Sequence, residues 1–325
     1  MIVVQTPLRI SFVGGGTDFD EFYLYQGGAV ISTAIDKYVF VIVKERFDDL
    51  ICLNYMKRER VERVDDIEHE LVREAMKITG VSKGIEITTL ADVPAEGTGL
   101  GSSSSVTVGL LQALYTYQGE LRTAETLAQE AYRIEIDILK HPIGRQDQYI
   151  AAYGNLRFIT FSGAGIDVEK VDLPPEEKRR LNDVLLCFYT GVTRKASEIL
   201  EAQKANINDR LSVLGEIRKL AFRAKGAIMQ GAFDELGEIL HAGWELKKTL
   251  ASKITNPQID EMYEAARKAG AIGGKITGAG GGGFLLLYCP KEKQDAVRKT
   301  LKLRELPFRF EPDGSKVIFN YRGGS

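Results

Sequence analysis

The sequence of 325 residues predicts an α+β protein in two units, 1–175 and 176–325, on three observations. First, β-branched and aromatic runs alternate with segments of helical apolar spacing along the whole chain. Second, the polar stretch PPEEKRR (Pro174–Arg180) marks a composition shift, which places the boundary near Pro175. Third, 44% apolar and 27% charged residues are ordinary for a globular chain, and its length provides for two cores or one large one. No internal repeat interrupts this pattern.

The chain opens with IVVQTPLRISFV, a strand that Pro7 is expected to break and Gly14–Gly16 to stop. Arg9 lies inside it, and an outward-facing charge is the ordinary reading there. GGGTDFDEFYLYQGG is a glycine loop followed by a short helix. Thr17 or Asp18 would cap that helix. Alternatively, the bare backbone of Gly15 and Gly16 admits a ligand, with Asp18 accepting its hydroxyls. Ala29–Arg46 reads as one long or bent strand, with DLICLNYM as its partner. IEHELVREAMKITG is an amphipathic helix closed by Gly80, and GIEITTLADV is a further strand.

That strand leads into VPAEGTGLGSSSSVTVGLLQAL (Val93–Leu114), the segment around which the chain is organised. Gly97, Gly99 and Gly101 alternate around Leu100, so the backbone can turn tightly and present N–H groups inward. Ser102, Ser103 and Ser104 then fall at the start of a helix, where N–H groups lack partners and the dipole favours an anion. Phosphate binding follows. The stretch has no lysine, so it is not the G-x-x-x-x-G-K-[ST] loop. A flexible linker would not run straight into the apolar period of Val106, Leu110, Leu111 and Leu114. A dinucleotide fingerprint needs a second strand ending in an acid ~20 residues on, and Glu120 sits instead in a turn before a helix.

TAETLAQEAYRIEIDIL carries a helical face through Leu127, Ala131, Ile134 and Ile138. Glu135 shares that side with the small Ala128 and Ala131, which leaves room for a carboxylate and a ligand. The alternative is a boundary residue with its head in solvent. Asp137 and Arg133 are expected to form a solvated pair. HPIGRQDQYIAAYG is a polar turn and short helix, with Asp147 in its first turn and His141 as a loop histidine open to solvent or to base catalysis. NLRFITFSG and GIDVEKVDL form a hairpin.

Beyond the boundary come a buried strand, DVLLCFYTG, and several helices with Trp244 as a packing anchor. NPQIDEMYEAARKAG is a capped helix. In GGKITGAGGGGF the glycines Gly278, Gly280 and Gly283 fit G-x-G-x-x-G, but a strand follows them. They should pack backbone against backbone, or against a ligand. KEKQDAVRKTLK reads as a helix, and PFRFEPDGSKVIFNY as a hairpin across Asp313-Gly314.

Composition excludes several classes. A net charge of −2 argues against nucleic acid as a partner. Cys52, Cys187 and Cys289 are odd in number and far apart, which predicts buried thiols in a reducing compartment. His69, His141 and His241 do not cluster with them, against a Cys/His metal site. No signal peptide and no apolar run of ~18 residues is visible, so a cytoplasmic protein with no membrane partner is expected.

Three segments, TPLRISFVGGGTDF, PAEGTGLGSSSS and KITGAGGGGF, resemble in order the motifs of the GHMP kinase superfamily of small-molecule kinases. A fourth, EIDILKHPIGRQDQY, looks like the segment carrying the magnesium glutamate and the catalytic aspartate in galactokinase and mevalonate kinase. The resemblance spans Thr6 to Phe284. It implies an N-terminal domain like the second domain of ribosomal protein S5, a ferredoxin-like C-terminal domain, and ATP with Mg²⁺ between them. By position, Asp147 becomes the base facing the substrate hydroxyl, with Arg9 beside it. Gly97, Gly99, Leu100, Gly101, Ser102, Ser103 and Ser104 become the ATP loop, and Ser103 with Glu135 the magnesium ligands. Gly15, Gly16, Thr17, Asp18 and Gly280 fall among the substrate contacts. Such residue types suit phosphoryl transfer, which needs positioning and charge neutralisation more than covalent help.

Within the superfamily, RISFVGGGTDF, AIDKYVFV, GRQDQY, YTGVTRKASEIL and WELKKTLASKITN resemble the D-glycero-D-manno-heptose 7-phosphate kinase group. That implies phosphorylation of an anomeric hydroxyl on a sugar phosphate, by a monomer or homodimer. Gly15-Gly16 stand where galactokinase has Glu-His, which argues against galactose. Kinases for fucose or N-acetylhexosamines share parts of the first motif. A non-catalytic ATP- and sugar-binding regulator would be expected to lack Asp147 or Glu135, and both are present. A decarboxylase of isoprenoid precursors is disfavoured by GGGTDF and GRQDQY. A substrate dianion needs its own cations. Arg194 and Lys195, beside Thr193, are the first candidates and Lys247 and Lys248 the second.

Overall fold

The computed structural model describes residues 1–94, 97–192 and 195–321. In chain order the elements are β1 (Ile2–Val13), α1 (Asp20–Gln26), β2 (Gly28–Glu45), β3 (Ile51–Asn54), β4 (Arg58–Val61), α2 (Glu70–Thr79), β5 (Ile85–Ala91), α3 (Ser102–Gln118) and α4 (Ala124–Tyr132). A π-helical turn (Arg133–Ile138) precedes α5 (Gln146–Tyr153), β6 (Leu156–Ser162) and β7 (Gly165–Lys170). Then follow α6 (Pro175–Asp183), β8 (Leu185–Tyr189), α7 (Ala196–Ala205), α8 (Leu211–Met229), α9 (Phe233–Lys248) and α10 (Pro257–Lys268). The chain closes with β9 (Gly273–Ile276), β10 (Phe284–Tyr288), α11 (Lys291–Leu301), β11 (Arg304–Glu305) and β12 (Lys316–Asn320).

The larger sheet runs β12-β1-β2-β5-β3-β4, with the β6-β7 hairpin joined to the first half of β2. The 18 residues of β2 reach two neighbours in turn, Gly28–Thr33 pairing with β6 and Val39–Glu45 with β5. Pro7 does not break β1. The register against β2 shifts between Pro7 and Leu8, an irregularity of the kind at which a strand tolerates proline. DLICLNYM does not pair with β2 either: β3 lies parallel to β5 and antiparallel to β4. Helix α3 packs across β1 and β2, and at Gly109 a Cβ would lie 2.8 Å from Thr6 Oγ1. α4 and α5 stack on α3.

The smaller sheet runs β11-β8-β10-β9, antiparallel throughout. Numbered by sequence within that sheet the order is fourth, first, third, second, which is the ferredoxin-like arrangement. β10 is buried on both faces, with Leu285 and Leu287 in the core of Trp244 and Tyr263, and Phe284, Leu286 and Tyr288 in the larger core. Trp244 is 1% exposed, as a packing anchor should be. Asn256 caps α10 by accepting from the Ile259 N–H at 3.0 Å. The last segment is not a hairpin. Instead β12 returns to the larger sheet and pairs with the open edge of β1, Ile2 opposite Asn320.

The cysteines are free and buried. Among the described residues no helix is long and apolar enough to cross a membrane.

Candidate active site

The site begins with a contact between two glycine turns. Gly97, Gly99 and Gly101 adopt φ of 73°, 72° and 78°, a region that favours glycine. Gly99 lies so close to the turn joining β9 and β10 that a Cβ there would stand 2.5 Å from the Thr277 carbonyl oxygen. From the other side, a Cβ on Gly278 would be 2.6 Å from Gly99 Cα, and one on Gly283 2.6 Å from the Gly97 carbonyl oxygen. The Thr277 hydroxyl donates to the Thr98 carbonyl at 2.9 Å. These glycines therefore do pack backbone against backbone, and they lock the two units together at the start of α3. Gly280 sits against Ile254 instead, where a Cβ would meet the carbonyl oxygen at 2.7 Å.

β1 feeds this junction. The Arg9 N–H donates to the Leu100 carbonyl at 2.9 Å, and Arg9 Nη1 to the Gly99 carbonyl at 2.6 Å. Arg9 does not face outward: it is 5% exposed, and Nε and Nη2 grip Asp147 at 2.7 and 2.6 Å in a two-pronged ion pair. Asp147 is half-buried and keeps an open side to the cleft.

Asp147 stands in the first turn of α5 between Gln146 and Gln148. Successive helical residues point about 100° apart, so three neighbours fan out to three partners. Gln146 Nε2 donates to Asp18 at 2.9 Å, Asp147 meets Arg9, and Gln148 Nε2 donates to Glu135 at 2.7 Å. The two glutamines escaped the sequence reading, although they flank Asp147 in the same motif. So did Gly144, where a Cβ would fall 2.1 Å from Asp18 Oδ2.

Asp18 caps no helix. It accepts from the Gly16 N–H at 2.9 Å and from both Gln146 donors, and burial pushes its pKa upward, aided by the charge of Asp147. Thr17 caps nothing either. Its hydroxyl bonds Gly14 and Ala29, holding the loop shut behind the cleft. Gly16, at φ 103°, leaves no room for a Cβ, which would stand 2.5 Å from Gln203 Nε2.

Glu135 is fully buried rather than at a solvent boundary. The π turn carries it inward and turns Ile138, expected in the apolar face, out to 41% exposure. Asp137 is exposed, and no ion pair joins it to Arg133 among the described residues. Ser103 donates to one oxygen of Glu135, while Ser104 (2.8 Å) and Gln148 donate to the other. All three donors are neutral, and burial raises the Glu135 pKa. Ser103 is exposed, so one hydroxyl and one carboxylate oxygen meet beside the N-terminal end of α3. That pair of hard oxygens fits Mg²⁺, which commonly takes few protein ligands and completes its shell with phosphates and water.

Arg9, Gly15, Gly16, Asp18 and Asp147 thus line one cleft of about 70 Å³. Its far wall holds Gln203, Lys247 and Lys275, of which Lys275 went unnoticed in KITGAGGGG. Lys248 is turned away to Glu245 at 2.8 Å, and Lys195 is exposed. Thr193 and Arg194 lie outside the described residues, as do residues 95 and 96 of the phosphate loop. His141 is no base here, since Nε2 pairs with Glu70 at 2.8 Å.

A helix N-terminus, a pair of hard oxygens and an Arg-held carboxylate are the kinds of group that phosphoryl transfer calls for. The GHMP kinases N terminal domain matches residues 66–155, and the GHMP kinases C terminal domain matches residues 224–305, together more than half of the chain. The chain belongs to the GHMP kinase family and is a kinase, and kinases of this family use ATP, generally with Mg²⁺. It is 28% identical over 97% of its length to the D-glycero-alpha-D-manno-heptose 7-phosphate kinase of Campylobacter jejuni, covering 98% of that protein. Identity is also 28% to the L-fucokinase/L-fucose-1-P guanylyltransferase of Bacteroides fragilis, over 90% of this chain but only 35% of that protein. Among solved structures, a D-glycero-D-manno-heptose 1-phosphate kinase from Bacteroides thetaiotaomicron superposes with TM-score 0.83 at 23% identity, over 99% of this chain and 100% of that one. The galactokinase of Lactococcus lactis, complexed with galactose, gives 0.74 at 19% identity, over 97% and 94%. Both identities are low enough that these two structures speak for the fold alone.

Proposed function

We propose that the chain is an ATP- and Mg²⁺-dependent sugar kinase that phosphorylates the anomeric hydroxyl of a heptose 7-phosphate. One observation carries this reading most: Asp147, held by Arg9, opens onto the same cleft as the hydroxyl acceptor Asp18. Asp18 and Gln146 orient the sugar, and Asp147 accepts the proton of the attacking hydroxyl. The N–H groups at the start of α3 hold the nucleotide phosphates, and Arg9 fixes both Asp147 and the loop carbonyl of Gly99. Ser103 and Glu135 are the residues that would hold Mg²⁺, which supplies charge neutralisation when bound. The GGGTDF loop and its likeness to the Campylobacter jejuni protein support the heptose phosphate as substrate. The same reading puts the domain division near Pro175, the protein in the cytoplasm, and the working form as a monomer or homodimer.

A phosphoryl-acceptor screen tests it. Sugars and sugar phosphates are offered with ATP and Mg²⁺, and product is identified by mass and by the position of the new ester. Heptose 7-phosphate should give the highest kcat/KM and a 1,7-bisphosphate. Preference for free fucose or an N-acetylhexosamine would replace this substrate, and no turnover with any acceptor would favour a regulator on the same fold.

A further inference from the structure

The chain crosses between the two sheets twice, from β7 to β8 through α6 and from β11 to β12 through residues 306–315. Asn182 of α6 ties the crossings together. Its Nδ2 donates to the Phe308 carbonyl at 3.1 Å, and its Oδ1 accepts from the Phe310 N–H at 3.0 Å. Between those bonds Arg309 is held to Asp36, its N–H donating to Oδ1 at 2.8 Å and its carbonyl accepting from the Asp36 N–H at 2.9 Å. Phe308 and Phe310 are buried, so an extended backbone turns the Arg309 side chain outward between them. The backbone under that guanidinium is fixed by these bonds, while the guanidinium itself bonds nothing among the described residues.

Arg309 lines a cavity of about 410 Å³, whose opposite wall is the face of α6 that carries Lys178, Arg179, Asn182 and Asp183. Cavities of roughly 300–1,000 Å³ are the size that small molecules occupy. Lys178 is half-buried, and its Nζ donates to Asn155 Oδ1 at 3.1 Å, a neutral acceptor that leaves the charge standing. Burial lowers the Lys178 pKa, and the charge of Lys170 adds to the shift against Glu311 and Asp172. Arg179 and Arg309 are exposed and bond no acid among the described residues. The carboxylates around them are engaged elsewhere: Asp183 by Lys291 at 2.6 Å, Asp36 by Lys37 at 3.0 Å and Asp172 by Lys170 at 2.6 Å. Three cations therefore line one cavity from two sides, an arrangement that an anion between them relieves.

We propose that this cavity binds a phosphorylated small molecule, at a site that shares no lining residue with the kinase cleft. Three donors on two walls call for a group whose acceptor oxygens point several ways, which a phosphate has and a planar carboxylate lacks. Held by Arg309 on one side and by Lys178 and Arg179 on the other, the ligand braces the two crossings against each other.

The intact protein is titrated with pyrophosphate, fructose 1,6-bisphosphate and fructose at about 0.15 M salt, where distant surface charges are largely screened. Amide resonances are followed, the residue-309 N–H and the Asn182 side chain reporting the cavity, and the Gly99 and Ser103 N–H groups reporting the kinase site. Pyrophosphate and the bisphosphate should shift the cavity signals saturably, and fructose should not. Arg309→Ala and Arg179→Ala, both at exposed positions, should weaken that response roughly tenfold or more. The responses at Gly99 and Ser103, and the affinity for ATP, should stay as in the parent. Pyrophosphate should also raise the denaturation midpoint of the parent more than that of Arg309→Ala. Tighter binding of either phosphate probe supports the site and distinguishes its source, a diphosphate or two separate monoesters. No saturation at the cavity by about 10 mM overturns the proposal. So does a response confined to Gly99 and Ser103, or a cavity response that both substitutions leave unchanged.

Discussion

Asp18 and Asp147 share one cleft but are held in opposite ways. Asp147 is gripped by a guanidinium through two short bonds and leaves a face open. Asp18 is 2% exposed and is held by an amide side chain and two backbone N–H groups, with no cation bonded to it among the described residues. A charged partner in fixed geometry suits a group that must take up a proton and return it. A cradle of neutral dipoles suits one that recognises hydroxyls and otherwise stays put. One helix turn sets both environments, through Gln146 and Asp147, two adjacent residues of α5.

The largest effect that can break this comparison falls on Asp147. Asp147→Asn preserves shape and removes the proton acceptor, so kcat should drop roughly 10²–10⁴-fold while ATP affinity is retained. Near-normal turnover at saturating substrate would show that positioning alone carries the reaction. Asp18 should behave differently. Asp18→Asn leaves a buried substrate hydroxyl poorly matched, at about 1–3 kcal/mol, so the sugar KM should rise roughly 10–100-fold with a smaller change in kcat. Gly144→Ala should reproduce that KM effect, because its Cβ would displace Asp18 Oδ2 from 2.1 Å. A Gly144→Ala enzyme with unchanged KM would mean that Asp18 does not touch substrate.

Glu135 sharpens the contrast as a third kind of carboxylate, buried and bonded to three neutral donors. Such a group still has room in its charge balance for a cation, whereas Asp147 already pairs with Arg9. Glu135→Gln should raise the Mg²⁺ concentration for half-maximal rate by at least the roughly 10–100-fold that loss of an outer-shell partner costs. Excess Mg²⁺ should restore part of the rate, and it should not rescue Asp147→Asn. Identical Mg²⁺ curves for Glu135→Gln and the parent would remove Glu135 from the metal site.

How much of this was legible in the sequence depended on whether a residue's partner was local. The Asn256 cap of α10, the left-handed glycines before α3 and the β6-β7 hairpin are written in turn chemistry and period, and they were read. Arg9 was placed beside Asp147 by the family resemblance alone, because its alternation in β1 is compatible with either face and only the α5 turn, 138 residues away, decides which. The π turn defeated a 3.6-residue period and so hid the burial of Glu135. β12 was missed because pairing with β1 is decided by an open sheet edge some 300 residues upstream, not by Asp313-Gly314. Gly144, Gln146 and Lys275 carry no individual signal at all. Each acquires meaning from a single distant contact.

The smallest expected effect concerns stability against pH. Burial raises the pKa of Asp18 in the folded protein above the ordinary 3.8, and the nearby charge of Asp147 adds to the shift. A carboxyl with a raised folded-state pKa binds its proton more tightly when folded. Its favourable contribution is therefore fully present below the unfolded pKa and is lost as pH rises through the folded value. Asp18→Asn has no proton to lose at this position, so its stability should not carry that slope. Denaturation midpoints of the parent and Asp18→Asn, measured from pH 4 upward without nucleotide, should show the parent losing stability relative to the variant as pH increases. Asp147→Asn should instead lower the midpoint outright, because that substitution breaks an ion pair and leaves Arg9 buried without its partner. A flat difference between the parent and Asp18→Asn would mean that the Gly16 and Gln146 donors fully offset burial. Asp18 would then be charged at every pH at which the enzyme works, and the contrast with Asp147 would lie in exposure and geometry alone.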